Sequence, residues 1–220
     1  YVLYVDINGG VSMSQLKLTA DSGGGTVAIK GPASTTGNAA LEMTVPSTAS
    51  GTLDSLNRAG NILQVVEARK TDTFTHSSGA YTTITGLSLN ITPSSSSNKV
   101  LIMTAVNISG DDSSAKAGGL LVSRTVSGSE NENIFVGDAN GSNSRGYAHM
   151  FFDGESRIGQ IIYPTNFLDV PSTTSAITYA VKVRCVSSTP IGVNYAYDNN
   201  STGSGPIRTA SSIIAMEIAA

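Results

Sequence analysis

The side chains able to do acid–base or metal chemistry are few and scattered. His76 and His149 are the only histidines. A nucleophilic triad or a zinc site needs a histidine held close to hydroxyls or carboxylates. His149 sits in "YAHMFFD", among large apolar residues of strand type, the setting of an ordinary sheet histidine. His76 sits in "THSSGAY", read as an exposed hairpin loop. Cys185 is the only cysteine, so no intrachain disulfide forms, and its alternating surroundings predict a small buried apolar side chain. Asp153 and Glu155 in "FFDGES" are the one close acidic pair at a plausible strand end, whereas glycan cleavage needs paired acids across a groove. "DSGGGT" at 21–26 has neither the lysine nor the following helix of a phosphate loop and reads as a turn. No catalytic residue, metal ligand set or cofactor motif is assigned, and the chain is read as a non-enzyme.

Oxygen ligands for calcium come closest to a pattern in "GDANGSN". Asp138, Asn140, Ser142 and Asn143 fall there at alternating or adjacent positions, with Glu130 and Glu132 of "SENEN" available if the loops meet. The run lacks the full acidic set and the closing glutamate. A solvated turn is the plainer reading, with calcium as the alternative.

Recognition is better placed than catalysis. Segments 109–119, 127–133, 138–146 and 198–209 are polar, rich in Gly, Ser and Asn, and read as display loops. The candidate contact residues are Asp138, Asn140 and Asn143 in one loop, and Tyr197, Asp198, Asn199 and Asn200 in another. Aromatic rings beside amides and carboxylates suit sugar binding. Against that, Tyr195 and Tyr197 continue the alternation of Ile191 and Val193, which assigns both rings to a core face.

The elements that must position these residues are strands. Charged residues make up 13% of the 220, against about 25% in ordinary soluble domains, and Ser plus Thr fill roughly a quarter. Hydroxyls compete for backbone hydrogen bonds in helices and suit strands and turns. The net charge of −3 and the lack of a basic stripe leave nucleic-acid binding without an electrostatic basis. The apolar runs are too short for a helix to span a bilayer, so no membrane insertion is expected.

Residues 1–55 hold strand-sized pieces, "YVLYVDI", "SQLKLTA", "GTVAIKG" and "ALEMTVP", and no aromatic residue occurs between Tyr4 and Phe74. So few large side chains cannot make a core alone, which predicts a thin shaft whose strands share a core between chains, or an arm that packs elsewhere. Residues 56–75, "LNRAGNILQVVEARKTDTFT", read as a junction. Its "NILQVVEA" fits a strand by its β-branched residues, with one helical turn as the alternative, and Glu67, Arg69 and Lys70 are candidates for ion pairs between neighbouring chains. Residues 76–220 supply "GLSLNITP", "KVLIMTAVNIS" (covered on both sides), "GGLLVSRTV", "NIFVGD", "YAHMFFD", "IGQIIYP", "NFLDVP", "AITYAVKVRCV", "IGVNYAYD" and "SSIIAMEIAA". The expected fold is all-β: a short β-rich stalk followed by an antiparallel, jelly-roll-like β-sandwich head, as a trimer.

The order of phrases carries a resemblance. "GTVAIKGPASTTGN", "EMTVPSTASGTLDSL", "GNILQVVEARKTDTFT", "ITGLSLNITPSSSSNKVLIM", "FLDVPSTTSAITYAVKV" and "RTASSIIAMEIA" resemble uncharacterised virion proteins of marine tailed bacteriophages, from about residue 26 to the end. No catalytic or ligand motif is part of the likeness. The resemblance implies a fibre with shaft and head, made in the host cytoplasm and working on the virion surface. Its partners would be its own copies, other tail or capsid proteins, and a host-surface glycan or protein. A capsid decoration protein is the alternative, and a free carbohydrate-binding adhesin the more distant one.

Overall fold

Alternating apolar residues and frequent turn signals give strands. The computed structural model describes residues 15–19, 26–30, 58–110, 116–152, 159–186, 190–195 and 207–220. They contain strands and turns and no helix. The chain divides into two compact units, Tyr1–Thr52 and Leu53–Ala220.

In the first unit β1 (Gln15–Thr19) and β2 (Thr26–Lys30) pair antiparallel. The register sets Leu16 opposite Ile29 and Leu18 opposite Val27, as two alternating strands in phase would.

The second unit is an antiparallel β-sandwich. Its six-stranded sheet comprises β3 (Ile62–Lys70), β4 (Phe74–His76), β6 (Lys99–Gly110), β10 (Gly159–Asp169), β12 (Ile191–Val193) and β13 (Ser211–Ile218). β6 is the central strand. One of its edges takes β10 along its whole length, and the other takes β13 and then β12. β3 lies outside β13, and β4 outside β12. The five-stranded sheet comprises β5 (Thr82–Ile91), β7 (Lys116–Val126), β8 (Ser129–Asn131), β9 (Ala148–Phe152) and β11 (Ile177–Cys185). β11 lies between β5 and β7, and the far edge of β7 is shared by β8 and β9.

The core lies between the sheets. Val100, Ile102, Val106 and Ile108 of β6 and Ile213 and Ala215 of β13 meet Leu87, Leu89 and Ile91 of β5 and Ile177, Tyr179, Val181 and Val183 of β11. Cys185 is buried beside them, in the apolar role its pattern predicts. Ile84 also reaches the core, although it lies an odd three positions before Leu87. Gly86, at φ 88°, lies opposite a register shift between Ala180 and Lys182. A bulge there turns both apolar side chains inward.

Two polar devices span the sheets. Arg124 of β7 donates to both carboxylate oxygens of Asp169 on β10, each at 2.8 Å, and the Tyr179 hydroxyl donates to the same carboxylate at 2.5 Å. Burial and this carboxylate push the Tyr179 hydroxyl far up. At one end, Glu217 of β13 receives the crossover that joins β5 to β6. Its carboxylate accepts from Ser94 N at 2.7 Å, Ser94 Oγ at 2.8 Å, Asn98 Nδ2 at 2.6 Å and Gln64 Nε2 at 2.5 Å.

Several sequence readings change. "NILQVVEA" is the strand β3, and Lys70 at its end points inward, 2% exposed, with its ammonium on Asp72 at 2.8 Å. Lys70 is therefore not available to a neighbouring chain, whereas Glu67 and Arg69 face solvent. "THSSGAY" is not a hairpin: His76 ends β4, which pairs with β12, and the chain then passes to the other sheet. "IGQIIYP" and "NFLDVP" are one strand, β10, running through Pro164. Proline is tolerated because β10 has no partner beyond β6 among the described residues. "NIFVGD" forms no strand; Phe135 instead stacks on Phe167, ring centroids 4.6 Å apart. The loop at 109–119 shrinks because β6 runs to Gly110 and β7 starts at Lys116. The segment 127–133 is a two-residue turn, Ser127-Gly128 with φ 49° and 82°, followed by β8. β6 is covered on both sides only over its second half, since Met103 stays 39% exposed. The alternation from Ile191 stops at Asn194, whose φ is 54°, and Tyr195 folds back toward Gly192 instead of joining the core.

Candidate functional site

A cleft opens on the outer face of the five-stranded sheet, with a volume of about 640 Å³. Its position follows from strand register. Arg184 on β11 stands opposite Gly119 on β7, and Gly119 stands opposite His149 on β9. A glycine between two long polar side chains leaves a gap in the outer surface. The neighbouring Gly118 faces the other way, where an added Cβ would meet Met150 Cε at 3.0 Å and Ile191 Cδ1 at 3.3 Å.

Tyr81, just before β5, lies across this gap. An added Cβ would stand 2.6 Å from its hydroxyl oxygen at Gly119 and 2.8 Å at Gly146, so both positions must stay bare. The Tyr81 hydroxyl donates to Arg145 O at 2.9 Å, which fixes the loop to the ring. Burial pushes this hydroxyl up, with Arg184 opposing. The Arg184 guanidinium sits 5.7 Å from the Tyr81 ring centroid.

The loop 137–146 makes the opposite rim. Gly137 N donates to Gly146 O at 3.4 Å, and Asn143 N donates to Asn140 O at 3.1 Å. Tyr147 N donates to Leu120 O at 2.9 Å and anchors the loop to β7. The Tyr147 hydroxyl lies 3.4 Å from Thr104 Oγ1 on the other sheet, and burial pushes it up to about 12. Asp138, Ser142, Asn143, Ser144 and Arg145 line the cleft from this loop.

The electrostatics on this face are uneven. Lys182, one outward position before Arg184, is held by Glu130 at 3.0 Å and by a short contact with Glu132. Burial alone would lower the Lys182 ammonium, but the two carboxylates outweigh it and raise it. Among the described residues Arg184 has no such carboxylate, and its buried Nε has no hydrogen-bond partner. Arg145 Nη2 donates to Asn133 Oδ1.

Of the sequence candidates, Asp138 and Asn143 line the cleft, while Asn140 is exposed in the same loop without lining it. Tyr197, Asp198, Asn199 and Asn200 lie outside the described residues, as do Asp153 and Glu155. Glu130 and Glu132 do not turn to the 138–143 loop; they serve Lys182. No group of three or more His, Cys, Asp and Glu side chains gathers among the described residues. Tyr81, Arg145, His149 and Arg184 were not singled out as site residues. The available signal was Gly118-Gly119 inside an apolar strand, since glycine in a strand often marks a close approach.

No family model and no curated protein matches the chain. Among solved structures, one of the infectious bursal disease virus Gx strain is similar at 14% identity and a TM-score of 0.37, covering 93% of this chain and 46% of that one. The infectious bursal disease virus VP2 subviral particle is similar at 14% identity and a TM-score of 0.34, covering 89% and 47%. The chain spans less than half the length of those chains.

Proposed function

We propose that this chain is a structural protein of a virus particle, a homotrimeric fibre at the virion surface, with a non-enzymatic role in attachment to the host. Residues 1–55 form the shaft; the junction, residues 56–75, contributes β3 and most of β4 to the head, which residues 76–220 complete. Synthesis in the host cytoplasm fits the absence of a disulfide framework.

The observation that carries the assembly is the outer face of the six-stranded sheet. Val65, Met216, Leu101 and Leu168 align in register across β3, β13, β6 and β10. Val65 is 56% exposed, Leu168 48% and Met103 39%. A connected apolar face of this kind marks an association surface. The occupant proposed is a further copy of the same chain. Pro164 blunts the edge of β10 that has no partner among the described residues, which favours association through the face over edge-to-edge pairing. Glu67 and Arg69 stand outward on β3 at the margin of the patch, one of each sign, which suits copies related by symmetry.

Light scattering on a sizing column tests this. The intact chain is expected at three times its 22.6 kDa mass. Met103→Asp, which places a charge in the patch, is expected to lower that mass. Ser88→Asp, on the other sheet, is expected to leave it unchanged. A monomer in all three cases removes the fibre, and capsid decoration then becomes the better reading.

A further inference from the structure

We propose that the cleft on the five-stranded sheet binds the anionic group, carboxylate or sulfate, of an acidic glycan, with Arg184 supplying the charge that receives it. The proposal deepens the attachment role and rests on that reading only for where the glycan comes from.

Three observations converge. First, Arg184 differs from its neighbour on the same face. Lys182 is neutralised by two glutamates, whereas no carboxylate among the described residues pairs with Arg184. A guanidinium left like this keeps its charge and forked donors for an external acid. The Tyr81 ring steadies it without consuming its hydrogen-bond donors.

Second, the balance of charge in the cleft favours an anion. Among the described residues Arg184 and Arg145 line it with His149, against the single carboxylate of Asp138, which is exposed. Third, the floor and rim suit a sugar. Gly119 and Gly146 make room for the Tyr81 hydroxyl, which keeps an aromatic ring in the lining. Ser142, Asn143 and Ser144 offer hydroxyls and amides along one side. A volume of about 640 Å³ is that of a small-molecule site rather than of a single ion.

Calorimetry on the intact chain tests this with three probes: an oligogalacturonate, a sulfated dextran oligomer and an unmodified dextran oligomer. Binding is expected for at least one acidic probe and not for the neutral one. The two acidic arms separate carboxylate from sulfate. Arg184→Met is expected to weaken binding by at least about tenfold, the scale of a lost charge-assisted hydrogen bond, with partial rescue by Arg184→Lys. Asp138→Asn, at an exposed position that does not bear on folding, is expected to tighten binding. Arg69→Met, on the other sheet, is expected to leave it unchanged.

Equal binding of the neutral oligomer, or no binding of either acid, overturns the proposal. So does an affinity indifferent to both Arg184→Met and Asp138→Asn. A trimer that binds no acidic oligomer removes the ligand class alone. A monomer that binds one removes the fibre alone.

Discussion

The two sheets of the sandwich distribute polarity in opposite ways. The six-stranded sheet turns carboxylates inward, Glu217 and Asp169, and shows Val65, Met103 and Leu168 to solvent. The five-stranded sheet turns mainly aliphatic side chains inward, from Ile84 to Val183, and carries Lys182 and Arg184 on its outer face. A monomer would gain little from the first arrangement, because inward acids need partners and outward hydrophobes need cover. The partners are present: Arg124 and Tyr179 for Asp169, and four donors for Glu217. In the reading proposed, assembly belongs to one sheet and ligand recognition to the other.

Glu217→Ala is the hardest blow to the inward-acid side of this comparison. It leaves Gln64, Asn98 and two Ser94 donors unmet at a site where Glu217 is 1% exposed. Urea unfolding is expected to show a loss of about 3 kcal/mol or more. A loss no larger than that of a surface substitution would mean that the crossover finds other acceptors.

Acid should bring out part of the same contribution. Burial pushes the Glu217 carboxyl up, but donors from Asn98, Gln64 and Ser94 outweigh it and hold it below the ordinary glutamate range. Its folded value is thus lower than its unfolded one. The stability it contributes is whole above the ordinary glutamate value and is lost as pH falls through the lowered one. Denaturant midpoints measured from about pH 7 to about pH 3 should fall steeply for the native chain and less so for Glu217→Gln. Parallel curves would assign the acid sensitivity to other groups.

The outward pair on the five-stranded sheet should matter less. Lys182→Met removes contacts to glutamates whose side chains are 41% and 38% exposed. The expected cost is about 1 kcal/mol in the same urea experiment. A cost matching that of Glu217→Ala would erase the contrast between buried and surface charge. Smallest of all is Arg69→Ala. Its 3.4 Å contact to Glu67 is exposed on both sides, and the shift is expected within about 0.5 kcal/mol for the separated chain. A larger effect confined to the assembled protein would place Arg69 in a contact between copies.

Legibility in the sequence tracked this same division. The five-stranded sheet was easy to read, because apolar and polar residues alternate cleanly from Ile177 to Cys185. The six-stranded sheet was harder. "KVLIMTAVNIS" carries apolar residues on both faces and looks like a strand covered on both sides, although its first half is open. β10 was split at Pro164, since local rules treat proline as an interruption and only the absence of a second neighbour makes it harmless there. The loop at 138–146 was recognised, and Asp138 and Asn143 do line a cleft. The rest of the cleft was missed because Arg184, His149 and Tyr81 lie far apart along the chain.

By itself the sequence determined the class of structure: period-two alternation, many hydroxyls and frequent turns permit strands and little else. It also determined which side of β11 enters the core, because five consecutive alternate residues are apolar. Tertiary structure alone decided what faces what. Register across three strands sets Arg184, Gly119 and His149 in one row, and a bulge at Gly86 lets Ile84 join Leu87. These are pairings between distant segments, fixed by hydrogen-bond ladders and close packing. Local side-chain preference carries no record of the strand that will lie alongside.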